Sequence, residues 1–313
     1  MKVLFIGQSS PFTFIPLEAV GKEHDIVGLV ESAPRNYQQK NGWELYIKKR
    51  LVHLYRKCRS TITLKSIADN KSVPYFFLTR ENRDDFVQFI SDVKPDIICV
   101  AQMSQLLKKE AYSLPVYGSI NFHPSLLPNY RGPNPWFWQY YYLEKEVGAT
   151  IHYIDDGEDT GDILKQGKLK MRLGMPPDEL MESVCVLGSG LMLEALEEIK
   201  NGNANPIEQR HLECPVRARN VSRKEQLLEW NKWPIERVWH VLRGTGPWID
   251  SLPSRIPGVN WRVQNYDRCS SRPPWGKRGI SRKGWYLRHP EGVIYIRLEV
   301  TRGRFFCHLS RKR

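Results

Sequence analysis

The sequence predicts an α/β fold, a doubly wound and mostly parallel sheet followed by a smaller β-rich C-terminal domain. Two observations carry the first part. Short unbroken apolar runs recur at residues 3–6, 26–30 and 97–101, and stretches of helical periodicity separate them. Strands that are apolar on both faces belong to a sheet covered on both sides, as crossover helices provide. The third observation is charge. Residues 206–313 hold 23 Lys and Arg against 9 Asp and Glu, whereas residues 1–205 hold 24 against 25. The whole excess of +13 therefore lies in the last third, which marks one domain over 1–205 and a separate basic domain over 206–313.

Taken in order, residues 2–7 read as a buried first strand, and residues 14–22 as a helix behind it. Residues 25–31 form a second strand, 95–102 a third, 118–123 a short fourth and 147–154 a fifth. Residues 33–72 interrupt this rhythm: Arg35, Lys40, Lys48, Lys49, Arg50, Arg56, Lys57 and Arg59 mix with Trp43, Tyr46, Leu51 and Tyr55 at loosely helical spacing, the pattern of a solvated amphipathic helix. Pro176-Pro177-Asp178 opens a long helix with Leu180, Met181, Val184, Leu187 and Leu191 on one face. Asn201-Gly202 ends it, and residues 202–219 read as linker. A second helical region spans 222–244, broken at Trp233-Pro234. Strand-like runs at 260–263, 285–288 and 293–300 then suit a small β-barrel-like module.

Composition narrows the function classes. Hydrophobic residues make up 41% and charged residues 26% of the 313, within the range of folded globular proteins. No apolar run approaches the about 20 residues that span a bilayer, and the opening run ends at Gly7, short of a signal-peptide core. A cytoplasmic protein without a membrane span is expected. The six cysteines show no C-x-x-C pair, so neither a metal site nor a disulfide framework is indicated. Neither G-x-G-x-x-G nor G-x-x-x-x-G-K-[ST] occurs, which disfavours a dinucleotide-dependent oxidoreductase and a P-loop NTPase.

The informative block is Asn121-Phe122-His123-Pro124-Ser125-Leu126-Leu127-Pro128-Asn129-Tyr130-Arg131-Gly132-Pro133, with Asp159-Thr160-Gly161 following 36 residues after the histidine. Asn121 and His123 end a candidate strand, and the carboxyl ends of parallel strands are where such sheets place their sites. This block closely resembles the folate-dependent formyltransferase family, which includes the methionyl-tRNA formyltransferases, the glycinamide ribonucleotide transformylases and the nucleotide-sugar N-formyltransferases. The resemblance implies a catalytic trio of Asn121, His123 and Asp159. It also implies 10-formyltetrahydrofolate as formyl donor, held between the loop with Gln102, Met103, Ser104 and Leu106 and the loop with Ile154, Asp155 and Asp156. Tyr130, Arg131, Gly132 and Pro135 are then candidates for the acceptor side. His152 has no counterpart role and reads as a structural strand residue.

The residue types suit formyl transfer. An amine attacking the formyl carbon generates an oxyanion, to which an Asn amide and a protonated His can donate. The His can pass a proton to the leaving nitrogen, and the carboxylate can orient it or take the amine's proton. Two acceptors compete. Pro124 and Pro133-Asn134-Pro135 stand where methionyl-tRNA enzymes usually carry alanines, as in the sugar enzymes, so a nucleotide-sugar substrate is expected. The basic C-terminal domain, and the match of residues 228–231 and 238–248 to the start of the small domain of methionyl-tRNA formyltransferases, favour tRNA instead. Under the sugar reading the basic domain is a candidate surface for a homodimer. A reading of another class, an RNA-binding protein with a dead transferase domain, is disfavoured by the intact trio.

Overall fold

The computed structural model describes residues 1–35, 37, 62–209, 211–214, 216–222, 225, 227–246, 259–268 and 278–300. Of the basic segment expected as an amphipathic helix, residues 36 and 38–61, with most of its basic residues, lie outside these; its end, 62–72, is described. Two compact units are present. The first comprises residues 1–133, 147–169 and 181–217; the second comprises 134–146, 170–180 and 218–313.

In the first unit, β1 (Lys2–Gly7), β2 (Asp25–Ser32) and β4 (Ile97–Ala101) coincide with the three apolar runs. With β3 (Tyr75–Leu78), β5 (Ser119–His123), β6 (Glu146–Tyr153) and β7 (Ile163–Lys170) they make one sheet in the order β3-β2-β1-β4-β5-β6-β7. The strands from β3 to β5 pair in parallel, and β6 runs antiparallel to β5. A reversal of order at β1 and β4 places a crevice beyond their carboxyl ends.

Alternation along these strands feeds two layers. Leu4, Ile6, Val30, Ile98 and Val100 pack with Phe86 and Ile90 of α3 (Arg83–Val93). On the opposite face Phe122 stacks on Phe12 of α1 (Pro11–Glu23), their ring centroids 4.6 Å apart. Phe122 also lies against α6 (Pro177–Lys200), where Gly188 leaves room for its ring. A short α2 (Leu64–Lys71) opens on a reciprocal cap between Thr63 and Ser66, which satisfies two of the backbone donors a helix start leaves over. A single turn, α4 (Lys109–Tyr112), follows β4. α2 lies at the end of the 33–72 segment expected to be helical, whereas β3, β7 and α3 have no counterpart in the sequence reading. β3 is the four-residue apolar run Tyr75-Phe76-Phe77-Leu78, which the sequence reading passed over, whereas β7 alternates, with Gln166, Lys168 and Lys170 on its exposed row, and presents no continuous apolar run.

The second unit contains α5 (Pro135–Tyr141), α7 (Ile235–Thr245) and a four-stranded antiparallel sheet. Its strands β8 (Val259–Arg268), β9 (Arg278–Ser281), β10 (Gly284–His289) and β11 (Gly292–Val300) run in the order β8-β11-β10-β9. Val238, Val241 and Leu242 of α7 pack on Val263, Leu287, Ile294 and Ile296 of that sheet. The helical region expected from residue 222 begins only at Ile235. Pro234 supplies no amide hydrogen and pushes Trp233 away from helical dihedrals, and the earlier leucines, Leu227 and Leu228, lie in irregular backbone instead. The linker assignment also needs correction. Ile207 exchanges two 2.8 Å backbone hydrogen bonds with Ile163, and the carbonyl of Val216 accepts from Tyr130 N at 2.7 Å.

Candidate active site

The sheet register brings the site together. Asn121 and His123 are two residues apart on β5, so their side chains share one face. Asn121 lies beside Val100 of β4 on one side and opposite His152 of β6 on the other. Asp159 comes from the connection between β6 and β7. It holds a left-handed backbone with φ of 58°, and Tyr130, on the turn after β5, holds another at 64°. Left-handed backbone at two side-chain-bearing residues is strain of the kind that clusters at functional sites.

His123 is buried, and each of its ring nitrogens faces an acceptor. Nε2 lies 2.9 Å from the Tyr130 carbonyl, and Nδ1 lies 3.5 Å from Asp159 Oδ2. A ring protonated on both nitrogens satisfies both contacts; a neutral ring satisfies one. Asp159 Oδ2 also accepts the backbone N–H of Gly132 at 2.9 Å. Its Oδ1 lies 3.5 Å from Asn121 Nδ2, a long contact that leaves this amide hydrogen loosely held.

The other Asn121 amide hydrogen is held firmly by a residue that sequence reading set aside. His152 is 2% exposed, and its Nδ1 lies 2.7 Å from the Tyr153 carbonyl. That contact assigns the proton to Nδ1 and leaves Nε2 as an acceptor, which takes the Asn121 Nδ2–H at 3.1 Å. Burial holds the His152 imidazole below its ordinary pKa, and His123 nearby acts in the same direction, against the pull of Asp159. A neutral His152 thus fixes which end of the Asn121 amide faces it. Thr150, opposite His123, carries a hydroxyl that donates to the Ser125 carbonyl at 2.6 Å and accepts from Leu127 N at 3.2 Å, pinning the turn that follows the histidine.

The other expected residues distribute as follows. Tyr130 has its ring buried and offers its carbonyl to His123. The Arg131 guanidinium binds Gln209, and Gly132 binds Asp159 through its amide. Pro135 opens α5 in the second unit, outside this cluster. Gln102, Met103, Ser104 and Leu106 lie on the loop after β4. Gln102 is left-handed, with φ of 68°, and its side-chain carbonyl accepts from the Ser10 hydroxyl. Ser104 Oγ accepts from Gln8 Nε2 at 2.6 Å. Met103 packs inward, and Leu106 is 56% exposed. Ile154 begins the loop after β6 and packs in the same apolar cluster as Met103 and Leu107, so the two loops are neighbours. Asp155 Oδ1 accepts from Gly157 N at 3.0 Å and from the Thr160 hydroxyl at 2.6 Å, and Asp156 accepts from the Tyr112 hydroxyl at 2.9 Å. Both carboxylates are thus engaged in holding the loop.

Gln209 also escaped the sequence reading, since it lies in the stretch taken as linker. It is fully buried and donates to the Gly161 carbonyl at 2.5 Å. Its only sequence signal was an amide side chain in a polar segment, which identifies nothing. Among the described residues, no group of three or more His, Cys, Asp and Glu has a geometry that could hold a metal ion, and no helix is long and apolar enough to cross a membrane.

Comparison with known proteins identifies the family. A methionyl-tRNA formyltransferase from Clostridium beijerinckii is 34% identical over 226 residues, covering 70% of this chain and 71% of the relative. The enzyme of the same name from Clostridioides difficile is 27% identical over 309 residues, covering 95% and 91%. Among solved structures, an N-formyltransferase from Helicobacter canadensis, in complex with folinic acid and dTDP-3-aminofucose, shares the fold. Its TM-score is 0.61 at 17% identity, over 95% of this chain and 98% of that one. Residues 1–196 match the family model described as formyl transferase, and they contain the whole Asn121, His123, His152 and Asp159 cluster: the chain belongs to the formyl transferase family.

Proposed function

We propose that this chain transfers the formyl group of 10-formyltetrahydrofolate to the primary amine of a nucleotide-linked amino sugar, with Asn121, His123 and Asp159 as its catalytic groups. The observation that carries the chemistry is the partly buried cluster in which one carboxylate, one imidazole and one oriented amide converge. The amine nitrogen bonds to the formyl carbon, and the formyl oxygen takes up negative charge. Asn121 supplies its loosely held Nδ2 hydrogen to that oxygen, and His123 supplies a ring N–H once substrate replaces one of its present acceptors. The carbon–nitrogen bond to the folate then breaks. One proton leaves the amine, directly or through water, to Asp159, and one reaches the leaving folate nitrogen from His123; passage of the proton from Asp159 to His123, 3.5 Å away, then returns the trio to its starting state.

The loops after β4 and β6 suit the donor. They share an apolar cluster, leave Leu106 exposed for a flat ring to cover, and keep their acidic side chains occupied. Backbone groups are then what remains to read the pterin. For the acceptor, the supporting observation is the proline pattern at Pro124, Pro133 and Pro135. The Helicobacter canadensis N-formyltransferase, which shares the fold, is one whose complex holds an amino sugar on dTDP.

Methionyl-tRNA is the second reading. Similarity to the Clostridioides difficile enzyme extends over 95% of this chain, and the excess of Lys and Arg after residue 206 would bind phosphates. Purified protein with 10-formyltetrahydrofolate and, separately, a panel of nucleotide-linked amino sugars and charged methionyl-tRNA decides between them. Tetrahydrofolate release with a sugar and not with the tRNA is the expected result. Release with the tRNA alone would overturn the sugar assignment and leave the chemistry standing.

A further inference from the structure

Three chain segments meet at Gln209, and they are far apart in sequence. Its side-chain amide has every strong position filled. Oε1 accepts from Arg131 Nη2 at 2.8 Å and from Nε at 3.3 Å; Nε2 donates to the Gly161 carbonyl at 2.5 Å and, more weakly, to the Asp159 carbonyl at 3.4 Å. Arg131 Nη2 also reaches the backbone carbonyl of Gln209 at 3.2 Å. The residue after Arg131 is Gly132, whose N–H binds Asp159 Oδ2 at 2.9 Å. The contacts therefore close a ring that runs from Arg131 through Gln209 to the backbone of Asp159, across its carboxylate to Gly132, and back to Arg131. Gln209 itself is anchored two residues away by the paired bonds between Ile207 and Ile163.

We propose that Gln209 is a positioning residue for formyl transfer and that Arg131 acts through it, together clamping the left-handed Asp159 against His123. This rests on the reading of Asp159 and His123 as catalytic groups. The clamp answers a specific mechanical need. Asp159 sits on a strained turn and lies 3.5 Å from His123, so a small relaxation of the turn would part the pair. A neutral amide is the side chain that can accept from a guanidinium and donate to carbonyls at the same time. A carboxylate at 209 would keep Arg131 but turn an acceptor toward the Gly161 and Asp159 carbonyls. An aliphatic side chain would keep the volume and hold neither. Arg131, half-buried with its fork spent on Gln209, is assigned here to positioning rather than to substrate.

The test compares wild type, Asp159→Asn, Gln209→Leu, Gln209→Glu, Arg131→Met and the Gln209→Leu/Arg131→Met double variant. Each is first checked for native fold by near-UV circular dichroism, then assayed with 10-formyltetrahydrofolate and the acceptor that the panel above identifies. Displacement of a catalytic group by about 1 Å costs on the order of 100-fold in rate. Both Gln209 variants are expected to lose about that factor in kcat, with KM for each substrate within about 3-fold of wild type. Arg131→Met should lose a comparable factor, and the double variant no more than the worse single, because two parts of one clamp do not add. A folded Gln209→Leu or Gln209→Glu with wild-type kcat, or losses in the double variant that multiply, would overturn the clamp. Should Gln209→Leu not fold, Gln209→Glu decides by the same readouts. If instead Asp159→Asn retains full kcat, the catalytic reading itself falls, and that outcome is separable from failure of the clamp alone.

Discussion

His152 and Gln209 show how a side chain acquires a role from its neighbours. In sequence, His152 is one polar residue in an apolar strand and Gln209 one amide in a polar stretch. Only the antiparallel pairing of β5 with β6 sets His152 opposite Asn121, and only the bridge between Ile207 and Ile163 delivers Gln209 to the 159–161 turn. Asn121, His123 and Asp159 were legible because their spacing within a long motif resembles a known family; the two supporting residues carry no comparable motif. His240 of α7 is a third buried imidazole, 2% exposed, which accepts the Gly174 N–H at 2.7 Å through Nδ1. Burial lowers its pKa from 6.5 to about 4. Below pH 6.5 the unfolded chain therefore takes up a proton that the folded chain refuses, and stability falls as pH drops toward 4. The slope approaches about 1.4 kcal/mol per pH unit for one such group. His240→Asn keeps an acceptor and removes the titration, so thermal melts between pH 7 and pH 4.5 should show a shallower acid loss than wild type. Equal slopes would remove His240 from the account.

At the scale of elements, what the sequence made plain was continuous apolarity. β1, β2 and β4, buried on both faces, and the long α6 appear within a residue or two of their expected bounds. Elements whose apolar side is interrupted, such as β7 and α3, were not legible, because half-buried patterns of eight to eleven residues do not stand out from connecting loops; β3, an unbroken Tyr75-Phe76-Phe77-Leu78 run, was passed over because it is only four residues long and lies half-buried. The start of α7 was misplaced because helical spacing before Pro234 outweighed the proline in the reading, whereas in the chain the missing amide hydrogen decides. Packing of α6 on β5 yields a sharp contrast between two glycines. A Cβ on Gly188 would lie 2.3 Å from the Phe122 ring, whereas one on Gly190 meets nothing within 4 Å. Phe122 stands between Asn121 and His123, so any shift it makes is passed to both. Gly188→Ala should lower stability by about 1–3 kcal/mol and reduce transfer activity. Gly190→Ala should be neutral or stabilising by up to about 1 kcal/mol, since alanine is the better helix former. Urea unfolding of both variants checks the pair, and equal effects would mean that α6 does not press on β5 as described.

At the scale of the whole molecule, the motif and the charge excess occupy different stretches of the chain. The candidate trio lies in the first compact unit, within the residues that match the formyl transferase family, while the excess of basic residues lies after position 206. In the proposed reading the trio moves the formyl group, and the proline-variant motif and the basic C-terminal third bear on which amine receives it. The most direct measurement is isotope tracing. Wild type and His123→Ala would each be given donor labelled with carbon-13 in its formyl group and the panel of amine acceptors, and the product would be followed by mass spectrometry and carbon NMR. Wild type should place the label on an acceptor nitrogen as a formamide, and folded His123→Ala should do so at least about 100-fold more slowly. Label appearing only as free formate, or transfer by His123→Ala at the wild-type rate, would contradict the account.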